Sequence, residues 1–412
     1  MDSADAMNKS WVSCISLRPL RLCGEIFRGI GRFMDIRKTL GRVFFVLWGI
    51  AAAGSARALE CGAYAFPFCA NAEARPEQFA GGFAPPAGWG GHGGFGGGDC
   101  RGTVGRVPVV MIHGNGDSAI GWDAPARPGA GAGEAPSVYR ALRNAGYNDC
   151  ELFGPTYLSP AERADAAGNL HRPEKYDAIW RFIQAVREHT GSAKVDIVAH
   201  SLGVSMAIAA LDHATEAGGE NAWASVRRFV NIAGGLHGLN SCLWAPVPAC
   251  RGEASGGGDA WYEFGFYPDM PPWVRNRWTA VAGDHSLRQA PARHPDVLFY
   301  SITAGRRDDI HCPRALAALP AFVDCVRGPL FSRATNVKAQ LDLGADPPVT
   351  PPPWTGAVSD RMRAEFPRDL GGIGHFGARN VAGPVVVRML ESDCRGTGCR
   401  GGYRGRVRTA TP

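Results

Sequence analysis

Residues 199–203 read Ala199-His200-Ser201-Leu202-Gly203, and an apolar helical pattern follows at once. A serine hydroxyl is a weak nucleophile at neutral pH unless a neighbouring histidine accepts its proton. The pattern is one residue away from G-x-S-x-G, which puts a serine on a tight, strained strand-to-helix turn. Positions two before and two after that serine must be small, because backbone segments nearly touch there. Ala199 adds one methyl and fits, while Gly203 keeps the tighter position. A base and an acid are available downstream. "FYSITAGRRDDIH" (299–311) ends an apolar run with Asp308-Asp309, and "GGIGHFGARN" (371–380) sets His375 among glycines. Ser201, His375 and one carboxylate could therefore carry out acyl transfer. Asp308 is preferred to Asp309, because it follows the strand and turn directly. Simpler roles exist for each: Ser201 as a helix N-cap, His375 as a surface histidine, and Asp309 with His311 as cation ligands. No wider ligand set accompanies the last pair, so no metal is expected. His200 lies on the opposite pleat from Ser201 and reads as a core residue.

These groups need a scaffold. "VPVVMIH" (107–113), "CELFGPTY" (150–157), "VDIVAH" (195–200), "VRRFVNIAG" (226–234) and "DVLFYSITAG" (296–305) read as strands. "SVYRALRNAGY" (137–147), "KYDAIWRFIQAVREHTG" (175–191, ended by Gly191) and "SLGVSMAIAALDHATEAG" (201–218) read as helices. Apolar β-branched runs alternating with amphipathic helices imply a doubly wound, mostly parallel sheet covered on both faces. Residues 235–295 interrupt the rhythm. They contain Trp261, Tyr262, Phe264, Phe266, Tyr267, Trp273 and Trp278, an aromatic concentration expected of a lid or substrate-binding insertion. Residues 59–106 are Gly-rich and read as an irregular arm pinned by cysteines. Residues 394–412 read as a basic, Gly-rich tail without order.

The chain's net charge of +6 comes mostly from its start. Residues 1–58 hold nine Lys/Arg against four Asp/Glu, which leaves +1 for the rest, so a nucleic-acid partner is not expected. Within that start, basic residues precede the apolar run Val43–Ala53, and Ala56-Arg57-Ala58 follows it. The run is shorter than the roughly 20 residues that span a bilayer. It predicts a secretory signal cleaved after Ala58, with residues 1–33 an over-extended start and a retained anchor as the alternative. Ten of the twelve cysteines remain beyond Ala58, an even number suited to an oxidising compartment, extracellular or periplasmic. Sequential pairing with no thiol left over is the simplest expectation. No spacing among these cysteines resembles a zinc site.

"PVVMIHGNGDS", "VDIVAHSLGV", "SITAGRRDDI" and "GIGHFG" together resemble secreted bacterial lipases of the α/β-hydrolase class 2 group, over roughly residues 107–390. That group habitually carries alanine in place of the first elbow glycine. The chain is also similar to lipase-like extracellular depolymerases of native poly(3-hydroxybutyrate). The resemblance implies an α/β-hydrolase catalytic domain over 107–393, with a triad of Ser201, Asp308 and His375 in that order. It implies an oxyanion hole from the backbone amides of Asn115 and Leu202, with His113 ordering the loop. It further implies a monomeric ester hydrolase without cofactor, acting on acylglycerol or aliphatic polyester. A different class of reading is a secreted, non-catalytic polymer binder that uses the aromatic insertion. Ser, Asp and His at the ends of strands argue against it.

Overall fold

The computed structural model describes residues 60–61, 64–65, 77–98, 104–123, 136–218, 221–239, 242, 248–250, 286–312, 325–344 and 373–412. The expected signal and the aromatic stretch 261–278 lie outside these residues.

Eight strands among the described residues form one sheet. They are β1 (Gly94–Phe95), β2 (Val109–Ile112), β3 (Leu152–Pro155), β4 (Val195–His200), β5 (Val226–Ile232), β6 (Leu298–Thr303), β7 (Val337–Asp342) and β8 (Arg408–Thr409). Their spatial order is β8-β7-β6-β5-β4-β2-β3-β1. Pairings from β3 through β7 are all parallel, and only the two edge strands run antiparallel. Strand order reverses at β2 and β4, so the loops leaving their carboxyl ends flank the crevice where doubly wound sheets place their sites.

The central strands are apolar on both pleats because both faces are covered. Val110, Ile112, Ile197, Ala199 and Phe229 pack into one core with helices α2 (Pro173–Thr190) and α3 (Leu202–Gly218). Val109, Met111, Val198, Val230 and Ile232 pack into the other, with α1 (Val138–Asn144), α4 (Gly374–Val381) and α5 (Gly383–Glu391). Helix ends follow local chemistry. Ser137 Oγ accepts the Arg140 amide at 3.0 Å to cap α1, and Gly191 at φ 64° terminates α2 in the left-handed conformation. Arg228, from β5, donates to the Met389 and Ser392 carbonyls at the end of α5.

Both flanking segments are more ordered than the sequence suggests. Part of the Gly-rich arm forms β1, where Gly94 aligns with Pro155. Glycine is required there: a Cβ on Gly94 would fall 2.3 Å from the Gly154 carbonyl oxygen, and one on Gly96 would fall 2.2 Å from the Phe153 ring. Phe79, Phe83 and Trp89 of the arm gather around Phe182 of α2. The C-terminal stretch likewise departs from the expected disordered tail. Cys394 and Cys399 are bridged, Tyr403 is buried, and β8 extends the sheet along β7. Cys242–Cys250 and Cys312–Cys325 are also disulfides, following sequential pairing. Cys150 is buried and forms no disulfide among the described residues. Cys100, its sequential neighbour, lies outside the described residues.

Candidate active site

β4 ends at His200, Ser201 makes the turn, and α3 begins at Leu202. Ser201 has φ 53°, a left-handed conformation that costs a non-glycine residue on the order of 1–3 kcal/mol. Its surroundings hold it there. The Ser201 amide donates to the Ile232 carbonyl at 2.9 Å, and its own carbonyl accepts the Val204 amide at 3.0 Å. The small-residue requirement is visible in the packing. A Cβ on Gly203 would stand 2.3 Å from the His113 carbonyl oxygen and 2.7 Å from that of Ile112. Ala199 is fully buried and accommodated.

The half-buried Ser201 Oγ donates to His375 Nε2 at 2.8 Å, and His375 Nδ1 donates to Asp308 Oδ2 at 2.9 Å. These two bonds define one tautomer, with the proton on Nδ1 and the lone pair on Nε2 aimed at the serine. His375 sits in the first turn of α4 rather than in a loop, behind Gly374 at φ 49°. Asp308 follows β6 and a short 3-10 turn, Gly305–Arg307. Its Oδ1 accepts the Ile310 and His311 amides at 3.0 and 2.9 Å. Burial alone would raise the Asp308 pKa. The His375 and His311 imidazoles and these hydrogen bonds outweigh it and hold the carboxyl at about 2. The arrangement can therefore take a proton from Ser201 while a fixed anion stabilises the imidazolium that results.

The loop after β2 closes against the elbow. A Cβ on Gly114 would lie 3.0 Å from Ser201 Cβ, which puts Asn115 beside the serine turn. Leu202 is the first residue of α3, and first-turn amides have no intrahelical acceptor. His113 organises this loop. Its Nδ1 donates to the Gly114 carbonyl at 2.8 Å, its Nε2 accepts the Tyr157 amide at 3.3 Å, and its ring stacks on Tyr157 at 4.3 Å. Burial drives its pKa down to about 3, so it stays neutral. The Asn115 side chain is tethered too: it donates to the Ala166 carbonyl at 2.8 Å and accepts from Asn169 Nδ2 at 2.5 Å.

Four groups at the site lie outside the proposed triad and oxyanion hole. His200 is buried as a core residue, yet its Nε2 donates to the His375 carbonyl at 3.2 Å and so braces the partner of Ser201. His311 donates from Nε2 to the Ala233 carbonyl at 3.0 Å and stands 4.0 Å from Asp308 Oδ2. Ligand-type atoms of Asp308, His311 and His375 all lie within 4.8 Å of one another, so His311 groups with Asp308 and His375. Asp117, on the loop after β2, forms a fully buried ion pair with Arg379 of α4. The only sequence signal for these was proximity: each lies within four residues of a proposed site residue. The seven aromatics proposed to bind substrate all fall outside the described residues.

Residues 106–256 match the family model described as lipase (class 2). A comparison with curated proteins returns no match. Among solved structures, the chain is similar to Aspergillus fumigatus lipase B, with TM-score 0.40 and 15% identity over 73% of this chain and 56% of that one. The chain thus spans just over half the length of that lipase. It is similar also to Bacillus licheniformis lipase BlEst2 in its mature form, with TM-score 0.30 and 14% identity over 50% of this chain and 69% of the other. The phospholipase PlaB from Legionella pneumophila follows at TM-score 0.28 and 16% identity, over 48% and 39%. The parallel sheet with its reversal at β2 and the serine elbow give the chain an α/β-hydrolase fold, and residues 106–256 are similar to class 2 lipases.

Proposed function

We propose that the chain is a serine hydrolase of hydrophobic carboxylic esters. The observation that carries this reading is the hydrogen-bonded line from Ser201 Oγ through His375 to Asp308, starting at a residue held at positive φ. Ser201 Oγ attacks the ester carbonyl as His375 Nε2 takes its proton, and Asp308 holds the imidazole tautomer. The oxyanion forms against the amides of Asn115 and Leu202. Collapse expels the alcohol, which leaves with the proton from His375. Water then enters, gives its proton to the same nitrogen and releases the acid, restoring Ser201. The name of the matched family, lipase, favours apolar acyl chains. Three disulfides among the described residues favour an oxidising compartment, as a secreted protein has, and no helix among those residues is long and apolar enough to cross a membrane.

A fluorophosphonate probe tests the reading directly. The wild-type chain should be labelled at Ser201 and hydrolyse a short-chain nitrophenyl ester. Ser201→Ala should abolish labelling and lower kcat by on the order of 10⁴-fold or more. Near-normal turnover by folded Ser201→Ala would overturn the assignment.

A further inference from the structure

The ion pair between Asp117 and Arg379 is deeply enclosed near the site, with both residues 2% exposed or less. Its hydrogen bonds tie it to both neighbouring segments. Arg379 Nη1 meets Asp117 Oδ2, while its Nε and Nη2 both donate to Asn380 Oδ1 at 2.9 and 2.8 Å. Asp117 Oδ1 accepts the Ser118 amide at 2.7 Å. The surrounding chain leaves room for nothing larger: a Cβ on Gly121 would come within 2.3 Å of Asp117 Oδ1 and 2.7 Å of Arg379 Nη1.

Such a pair is a poor device for stability. Removing two charges from water costs several kcal/mol per ion, and well-packed apolar residues of similar volume often do as well or better. The strain is visible in Asp117, which burial pushes up to about 6 even with the Arg379 cation opposing the shift. What the pair supplies is direction, since one planar guanidinium reaches Asp117 through Nη1 while its Nε and Nη2 are held by Asn380. The elements it joins are telling. Asp117 lies two residues beyond Asn115, in a turn whose Asp117 amide returns to the Gly114 carbonyl. Arg379 lies one helical turn beyond His375 on α4. The two residues are 262 positions apart in sequence.

We propose that Asp117 and Arg379 are positioning residues that hold the Asn115 amide and the His375 imidazole in register across Ser201. This rests on the triad reading above and adds a second linkage to it. The oxyanion donor and the proton acceptor then move as one unit. Displacing one by about 1 Å from the other should slow chemistry roughly a hundredfold while leaving ester binding alone.

Two variants test it, measured as kcat and KM on a soluble nitrophenyl ester and normalised to sites labelled by the fluorophosphonate. Arg379→Lys keeps a cation beside Asp117 and removes the planar group and its two bonds to Asn380. The double variant Asp117→Asn with Arg379→Met leaves no unpaired buried charge, so the fold is spared that penalty. Both should lose roughly ten- to hundredfold in kcat with KM within about twofold of wild type. A purely structural pair predicts the reverse, with Arg379→Lys restoring full turnover and any loss confined to melting temperature. Wild-type kcat per labelled site in either variant would overturn the proposal alone. Failure of the wild-type chain to label at Ser201 would instead overturn the triad reading, and this proposal with it.

Discussion

Gly203→Ala adds one methyl where the elbow has no space for it. The new carbon would stand 2.3 Å from the His113 carbonyl oxygen and 2.7 Å from the Ile112 carbonyl oxygen. Ordinary carbon-to-oxygen contacts lie at about 3.3–3.6 Å, so one side must retreat by roughly 1 Å. Neither obstacle is a flexible side chain. Both are backbone carbonyls at the end of β2, one and two residues before Gly114, which itself abuts the elbow. The shift therefore passes into the loop bearing Asn115. Overpacking of this kind costs about 1–3 kcal/mol of stability, and a displacement near 1 Å costs about a hundredfold in rate. Ala199→Gly is the matched control. It removes a fully buried methyl on the other side of the same serine, costing roughly 1–2 kcal/mol of stability through lost burial and added chain freedom. It displaces nothing, so kcat should hold. Steady-state hydrolysis per labelled site, with a thermal melt of each variant, separates the two effects. A Gly203→Ala protein with wild-type kcat and melting temperature would refute the claim that close backbone contact builds this turn.

Two further outcomes follow from the site's electrostatics. Asp308→Asn replaces an acceptor facing His375 Nδ1 with a group that favours the wrong tautomer, so kcat should fall by about 10⁴-fold, while Asp309→Asn should cost under about tenfold; equal losses would remove Asp308 from its role. Burial holds His113 and His171 at about 3, below their unfolded value near 6.5, so the unfolded chain takes up protons first and stability falls as pH drops below about 6.5. At pH 5 each contributes a loss of about 2 kcal/mol, and Asp117, raised to about 6, returns about 1.4 kcal/mol as it protonates in the fold. Burial also lowers His200, His237 and His311, which adds to the loss, so guanidinium midpoints with unchanged slope should be lower at pH 5 than at pH 7. An equal or higher midpoint at pH 5 would contradict the buried, neutral histidines.

What could be read in the sequence and what could not divide along a physical line. The inner strands announce themselves because both faces are covered and every position must be apolar, as in Val109–Ile112 and Val195–His200. β7 does not, since Lys338, Gln340 and Asp342 alternate with its apolar residues and its outer neighbour is only the two-residue β8. β1 and β8 are invisible for a related reason: an edge strand borrows its conformation from the neighbour that supplies the hydrogen bonds, and Gly94 or Arg408 carries no signal of its own. The same division runs through the site. Ser201, Gly203 and the Gly114 turn are bound by contacts within a few residues or between adjacent strands, so spacing betrays them. The Asp117–Arg379 pair closes across most of the chain, and neither residue's neighbours require it. Yet such long-range polar ties are where the cost of burial is highest, and a chain keeps a buried charge only against a partner. Arg379, placed one turn after His375 on the inner side of a helix, is legible in that sense alone: it demands an anion, and the fold places that anion on the loop that carries Asn115.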